Sequence, residues 1–185
     1  MATDSFGDYF MWFPNNDEVS GETTDETFKS HRACEIESFS FKLWNERAST
    51  DDGGEDKEKG KLKFGEITVK KSVDLASAFF YQMCSKGSRV DTIMLAARKA
   101  GGSRMLYNQY ELRNVLVKEI SWETGSLGVA ETLVLAFKIM GFKYNRQAAT
   151  GKGVAVNKVW YWDTVSNSSS LGQGGKAQFL NPFDA

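Results

Sequence analysis

The chain has 185 residues, with 23 lysines and arginines against 24 aspartates and glutamates, and its formal net charge is −1 at pH 7. This balance excludes a broad electrostatic field that would attract nucleic acid or an anionic membrane. The length fits one domain with a sizeable core, and no apolar run approaches the roughly 20 residues of a membrane helix, so we expect no membrane insertion.

The N-terminal sequence differs from that of a secretory signal peptide. Asp4 and Asp8 stand where such a peptide carries basic residues, and no long apolar core follows them. We therefore expect the protein to fold in the cytoplasm, and any export to proceed without a cleaved leader.

The first predicted element is a strand over residues 9–13, Tyr-Phe-Met-Trp-Phe, which is apolar on both faces. A strand of this kind is either central in its sheet or covered by another subunit. The polar, acidic stretch 15–30 is predicted to be a loop, and residues 34–44 are predicted to be a second strand.

Residues 45–61 form a strongly charged stretch, in which ten of the 17 residues are charged and none is a large apolar residue. Such a segment cannot join the core, so we predict a long exposed loop. Two interpretations remain open, an inert connection and a loop that makes functional contacts.

The hydrophobic period changes after a short alternating strand at residues 66–71. Apolar residues then recur at helical spacing, which predicts the one helix of the chain over about residues 75–86. Ser77, in preference to Ser72, is expected to cap the start of this helix, and Gly87 suits the left-handed position after its end.

The second half of the chain is predicted to consist of strands. Residues 92–98 and 106–122 are expected to form strands joined by a hairpin at residues 99–102. The longer stretch is either one strand or two joined by a bend, with one apolar face, which includes Trp122, and one solvated face. The polar residues on the solvated face are Gln109, Glu111, Arg113 and Glu119. The remaining predicted features are, in order, a turn at residues 125–128, strands at 133–144 and 159–163, and a flexible C-terminal tail at 166–185.

About seven or eight strands at short spacing and one helix predict a mainly β fold. We expect a small antiparallel β-barrel or sandwich with one flanking helix, formed by a single domain over residues 1–165.

No pattern of catalytic or cofactor-binding residues emerges. His31, the only histidine, offers two metal ligands together with Cys34, but no second pair completes a tetrahedral site. The glycine-rich stretches 151–153 and 172–176 lack the spacing of a phosphate-binding loop. We therefore expect no enzyme activity, no cofactor and no metal, and the composition favours a binding or assembly protein.

Four short stretches, taken in order, resemble the Hcp family, the tube proteins of bacterial type VI secretion systems. They are Lys71-Ser-Val-Asp-Leu-Ala-Ser77, Arg98-Lys-Ala-Gly-Gly102, Val115-Leu-Val-Lys-Glu-Ile120, and Lys152-Gly153 with Lys158-Val159-Trp160. The family usually has proline at the position of Ala78, where a missing N–H costs nothing, so this departure leaves the fold unchanged. The order and spacing of the four stretches carry the resemblance, which covers roughly residues 6–164.

The resemblance implies a small β-barrel that assembles into homo-hexameric rings. In that family the rings stack head to tail into a tube inside a contractile sheath, and firing expels the tube with the effectors that its lumen holds and chaperones. The implied partners are further copies of the chain and the sheath, spike and effector proteins of the apparatus. The implied location is the bacterial cytoplasm, followed by secretion.

Two sets of residues are candidate contact sites. The family's extended loop reaches toward the next ring, and in this chain the corresponding ring-stacking candidates are Asp51, Asp52, Glu55, Asp56, Lys57 and Lys59. Phe10 and Trp12, on the strand that is apolar on both faces, are candidate subunit-interface residues, although the chain's own barrel and helix are an alternative cover.

Two other functions stay open. One is a specialised Hcp-like protein whose tail carries or recruits an effector, and the other is a monomeric β-barrel that binds a small ligand.

Overall fold

The computed structural model describes residues 8–46, 61–98, 106–125, 128–147, 153–154, 159–169 and 176–180. Within these ranges the chain has two helices, α1 (Glu26–Lys29) and α2 (Ser77–Lys86). The strands are β1 (Asp8–Trp12), β2 (Cys34–Ile36), β3 (Ser38–Ser40), β4 (Leu43–Glu46), β5 (Lys61–Phe64), β6 (Ile67–Ser72), β7 (Arg89–Arg98), β8 (Leu106–Gly125), β9 (Gly128–Ala136), β10 (Ile139–Tyr144), β11 (Arg146–Gln147), β12 (Gly153–Val154) and β13 (Val159–Asp163). The predicted mainly β class is confirmed.

Nine strands form one antiparallel sheet around β8. The order is β2-β1-β7-β8-β9-β6-β3, with β10 paired to β8 and β13 paired to β10. The first half of β8 lies between β7 and β10, and its second half pairs with β9. The end strands β2 and β3 flank a single residue, Glu37, whose N–H donates to the carbonyl of Lys70 at 2.7 Å. The sheet therefore curls back on itself, but no ladder between the described end strands closes it into a barrel.

The first strand is buried on both faces, as its composition requires. Met11 belongs to the main core, whereas Phe10 and Trp12 point to the opposite side and join a second cluster with Phe28. β1 lies between β2 and β7 in the sheet, so it is a central strand within a single chain.

The stretch 15–30 is not only a loop, because it contains the short helix α1. Asp25 accepts hydrogen bonds from the N–H groups of Thr27 and Phe28 at 3.1 and 3.2 Å, which caps the first turn. Phe28 is fully buried and stacks on Phe10 with ring centroids 3.9 Å apart. The helix thus covers one side of β1, and the expectation of a single helix is corrected.

The alternation of β8 changes side twice, which the sequence pattern does not show. Asn114 has a positive φ of 54°, and a register shift follows between Val117 and Glu119. Leu112, Val115 and Val117 consequently all lie in the main core. Trp122, predicted on the apolar face, is 64% exposed.

Other boundaries follow the sequence closely. The strand at 159–163 is confirmed as β13, and Gly87 adopts φ 60° after α2 and donates its N–H to the carbonyl of Cys84 at 3.2 Å. The predicted strand 133–144 is two strands, β9 and β10, which pair with different parts of β8.

Candidate functional site: contact surfaces

The two ends of the predicted charged stretch belong to a two-stranded ribbon. β4 and β5 pair in antiparallel register, from Leu43 opposite Phe64 to Glu46 opposite Lys61. The ring-stacking candidates Asp51, Asp52, Glu55, Asp56, Lys57 and Lys59 lie outside the described residues. Their stacking role stays a prediction.

An open apolar groove of about 480 Å³ runs beside this ribbon. Side chains from the ribbon, β8, β10, β13 and the connection between β3 and β4 line it, namely Phe41, Leu43, Leu62, Tyr110, Met140, Phe142 and Trp160. Leu43 and the adjacent Trp44 are 50% and 44% exposed. A contiguous apolar surface of this kind on a single chain is typical of a contact site.

The interface candidates Phe10 and Trp12 are buried within the chain, each with 2% of its surface exposed. Their cover is α1, through Phe28, together with Phe179 and Leu180 near the C-terminus. The chain itself thus provides the alternative cover that the sequence left open. A role for either residue in a subunit contact remains a prediction.

Arg98, the first residue of the Arg-Lys-Ala-Gly-Gly stretch, fastens α1 to the sheet. Its guanidinium lies 2.7 Å from carboxylate oxygens of both Asp8 and Asp25, and 5.0 Å from the centroid of the Phe10 ring. Burial alone would raise the pKa of Asp25, but bonds from Arg98 and from the N–H groups of α1 outweigh it, and the pKa is lowered. Arg98 therefore has a structural role of its own, while the hairpin predicted at residues 99–102 lies outside the described residues.

The Lys71-Ser-Val-Asp-Leu-Ala-Ser77 junction folds around a buried ammonium group. Lys71 is directly opposite Glu131 in the β6–β9 ladder, and its Nζ lies 2.8 Å from carboxylate oxygens of both Glu131 and Asp74. The Ser77 hydroxyl donates to the same Glu131 oxygen at 2.8 Å. These contacts tie the start of α2 to two strands.

The expectation that Ser77 or Ser72 caps α2 is wrong. Ala76 occupies the cap position without a side-chain bond, and Ser77 is the first helical residue. Its hydroxyl instead accepts the N–H of Asp74 at 3.0 Å, and Asp74 accepts the N–H of Ala76 at 2.9 Å. The serine serves the buried network because Glu131 approaches from β9.

The predicted solvated face of β8 is covered in the first half of the strand, whereas Glu119 in the second half is exposed as predicted. Gln109 and Glu111 are fully buried, and Glu111 accepts hydrogen bonds from the Tyr161 hydroxyl at 2.8 Å and from Arg113 Nε at 2.7 Å. Burial and the bond to Glu111 raise the pKa of Tyr161. Residues 176–180, within the predicted flexible tail, lie against this face.

The residues considered for metal binding are not assembled into a site. His31 packs beside Trp12, with ring centroids 6.0 Å apart, and burial lowers its pKa. In the described ranges, no group of three or more histidine, cysteine, aspartate or glutamate side chains could hold a metal ion. Neither helix of the described chain is long and apolar enough to cross a membrane.

A family model described as "Type VI secretion system effector, Hcp" matches residues 10–144. The match includes β1 to β10, the buried junction network and the groove-lining part of β8. The chain belongs to the Hcp family.

Solved structures agree with this Hcp assignment at the level of fold. One described as a type six secretion system protein is 23% identical, covers 89% of this chain and 99% of its own, and gives a TM-score of 0.78. Hcp1 from Salmonella typhimurium is 20% identical, with 88% and 98% coverage and a TM-score of 0.66. Hcp2 from the same organism is 19% identical, with 88% and 99% coverage and a TM-score of 0.61. No curated protein sequence matches the chain.

Proposed function

We propose that this Hcp protein is a structural subunit of a type VI secretion tube. Six copies form a ring, rings stack into a tube, and the expelled tube carries effectors in its lumen and leaves the cell with them. The observation that carries the proposal is the apolar groove beside the β4–β5 ribbon, which a single chain leaves open. We propose a second copy of the chain as its occupant.

The charged stretch 45–61 is proposed to join one ring to the next. Its acidic and basic residues make individually weak, salt-sensitive contacts between copies. Repetition around a ring multiplies such contacts, and their weakness allows the stack to come apart.

Native mass spectrometry at low and moderate salt tests ring formation. We expect a dominant hexamer for the unaltered chain and a shift to monomer for Leu43→Asp, because this change places a charge on the groove wall. Val165→Asp is the matched control, since Val165 is 72% exposed and does not line the groove. A monomer at micromolar concentration in both buffers contradicts the proposal.

Deletion of residues 49–58 tests the stacking role separately. We expect single rings to persist while tubes observed by electron microscopy become short or absent. Tube growth at the unaltered rate would contradict a stacking function for the loop.

The groove also supports a second candidate, a monomeric barrel that binds an apolar ligand. Its volume of about 480 Å³ and its apolar, largely aromatic lining suit a small hydrophobic molecule. A stable monomer that takes up an apolar fluorescent dye, and loses this binding in Leu62→Asp, would favour that function over the tube.

A further inference from the structure

Residues 176–180, Lys-Ala-Gln-Phe-Leu, are held by a row of polar side chains on β8 and β10. Gln109 uses both ends of its amide: Oε1 accepts the N–H of Leu180 at 2.8 Å, and Nε2 donates to the carbonyl of Leu180 at 3.0 Å. Lys143 Nζ donates to that same carbonyl at 3.1 Å. Gln109 and Lys143 thus bind the end of the segment through its main-chain atoms.

The same row of side chains forms hydrogen bonds to the segment at two further positions. Glu111 Oε2 accepts the N–H of Gln178 at 3.1 Å, and Arg113 Nη2 donates to the carbonyl of Lys176 at 2.5 Å. Contacts therefore fall on every second residue, which is the period of an extended peptide that presents one edge to a sheet.

One aromatic side chain adds an apolar contact to this main-chain recognition. The ring of Phe179 lies 5.7 Å from that of Tyr161, and Phe179 and Leu180 pack against the cluster that contains Phe10 and Trp12. The row of Gln109, Glu111, Arg113 and Lys143, with this apolar cluster beside it, is called the segment groove below.

The segment covers polar groups of the segment groove that are partly fixed by contacts to the rest of the fold. Gln109 and Glu111 have no exposed surface, and Tyr161 and Arg113 hold the Glu111 carboxylate in place. If the segment left, the amide of Gln109 would lose two hydrogen bonds and the carboxylate of Glu111 would lose one, unless water replaced them, and such a loss is costly for buried polar groups. The groove is therefore suited to hold a peptide at all times.

We propose that the segment groove is a peptide-binding site that takes residues 176–180 of a second copy as well as those of its own chain. It recognises an extended peptide through main-chain groups at alternate residues and through one aromatic side chain between them. The inference rests on the proposed function, because close-packed copies in a ring or stack provide the second segment.

The contacts themselves allow exchange between copies. The hydrogen bonds described above join the segment to β8 and β10, and its apolar contacts are to Tyr161 and to the cluster that contains Phe10 and Trp12, so an identical segment from a neighbour can make the same set. Six residues separate Ser169 from Lys176, and a short connection gives the chain's own segment an effective concentration on the order of millimolar. Neighbours packed in an assembly reach a comparable local concentration, and exchange of an identical element costs little.

Energy transfer between two full-length variants tests the exchange. The donor chain carries Gln109→Leu, which impairs its own groove, and a donor dye at Lys176→Cys, whose side chain is exposed. The acceptor chain carries Phe179→Ala, which weakens its own segment, and an acceptor dye at Lys138→Cys. Lys138 is exposed and donates its N–H to the carbonyl of Arg113, so the dye sits beside the groove. Cys84→Ser in both chains prevents labelling at that site.

The control mixture pairs the same donor chain with an acceptor chain that carries Gln109→Leu in place of Phe179→Ala. Proximity within a ring contributes equally to both mixtures, whereas docking in the partner's groove contributes only to the first. We expect at least twofold more transfer in the first mixture. Equal transfer in the two mixtures overturns the inference.

Native mass spectra of the same mixtures separate this inference from the proposed function. Hexamers with equal transfer would leave the tube subunit standing and remove the exchange. Excess transfer without hexamers would support the exchange and contradict the tube subunit. If circular dichroism shows that Gln109→Leu does not fold, Lys143→Met impairs the groove from its half-exposed end and replaces it in both mixtures.

Discussion

The ammonium of Lys71 on β6 lies 2.8 Å from a carboxylate oxygen of Glu131 on β9, and neither side chain has any exposed surface. Asp74 approaches the same ammonium at 2.8 Å from the other side, and the carbonyl of Ser72 accepts from it at 2.7 Å. The start of α2 is therefore fixed to the sheet by one buried cation. Removing one partner of such a buried ion pair strongly destabilises the fold, because the remaining charges stay buried without a partner.

Lys71→Met is expected to lower the free energy of unfolding by about 3–5 kcal/mol, since it leaves Glu131 and Asp74 without their cation. The double variant Lys71→Met/Glu131→Leu should recover part of this loss. Urea unfolding of both proteins measures the difference. Lys70→Met is the matched control, because Lys70 is partly exposed and pairs with Glu37 only at 3.8 Å.

Lys71 also predicts a loss of stability at alkaline pH. Burial alone would lower its pKa, but hydrogen bonds to Asp74 and Glu131 outweigh burial, and the pKa in the folded chain is raised. The stabilisation is therefore complete below the unfolded pKa of about 10.4 and is lost as the pH rises through the folded value. Urea midpoints at pH 8 and pH 11 should converge between the unaltered chain and Lys71→Met. If the midpoints of the two proteins differed by the same amount at pH 8 and pH 11, the raised pKa of Lys71 would not be the cause.

Sequence periodicity predicted the elements that depend on local pattern. The strand at 159–163 and the helix near 77–86 were found because apolar residues recur at periods of two and of 3.6 within each segment. α1 was missed because four residues are too few to show a period. Its available sign was Asp25, a favoured cap residue three positions before Phe28.

The buried network and the segment groove depend on pairings that sequence pattern does not provide. A sign of the network was present, since Lys71 continues the apolar face of Ile67 and Val69. Its partner is 60 positions away, and only the β6–β9 register brings them together. Likewise the polar face of β8 is solvated in any interpretation that does not return the chain across it at residues 176–180.

Acid titration should release α1 from the sheet through Asp25. Its pKa is lowered in the folded chain, so its stabilisation is present above the unfolded value of about 3.9 and is lost as the pH falls through the folded value. Asp25→Asn keeps the acceptor for the helix N–H groups but removes the charge beside Arg98, so we expect a loss of about 2 kcal/mol at pH 7.

The difference between Asp25→Asn and the unaltered chain should shrink as the pH falls below 4, as measured by urea unfolding at pH 7, 5 and 3. Asp17→Asn is the control, because Asp17 is fully exposed and lies 3.6 Å from Arg32. A difference that stays constant across this range would show that Asp25 acts through the cap alone.

Gly141 on β10 is required by the ring that supports the segment groove. A Cβ at Gly141 would collide with the ring of Tyr161, whose hydroxyl holds Glu111. Gly141→Ala is therefore expected to cost about 1–3 kcal/mol, since the rigid ring must move within a packed strand pair. Because Tyr161 and Glu111 contact the segment, hydrogen exchange at the amides of Gln178 and Leu180 should also accelerate. Gly125→Ala is the control and should change neither quantity, because no atom lies within 4 Å of its added Cβ. If both amides in Gly141→Ala were as well protected as in the unaltered chain, the Tyr161 ring would not be needed to hold the segment.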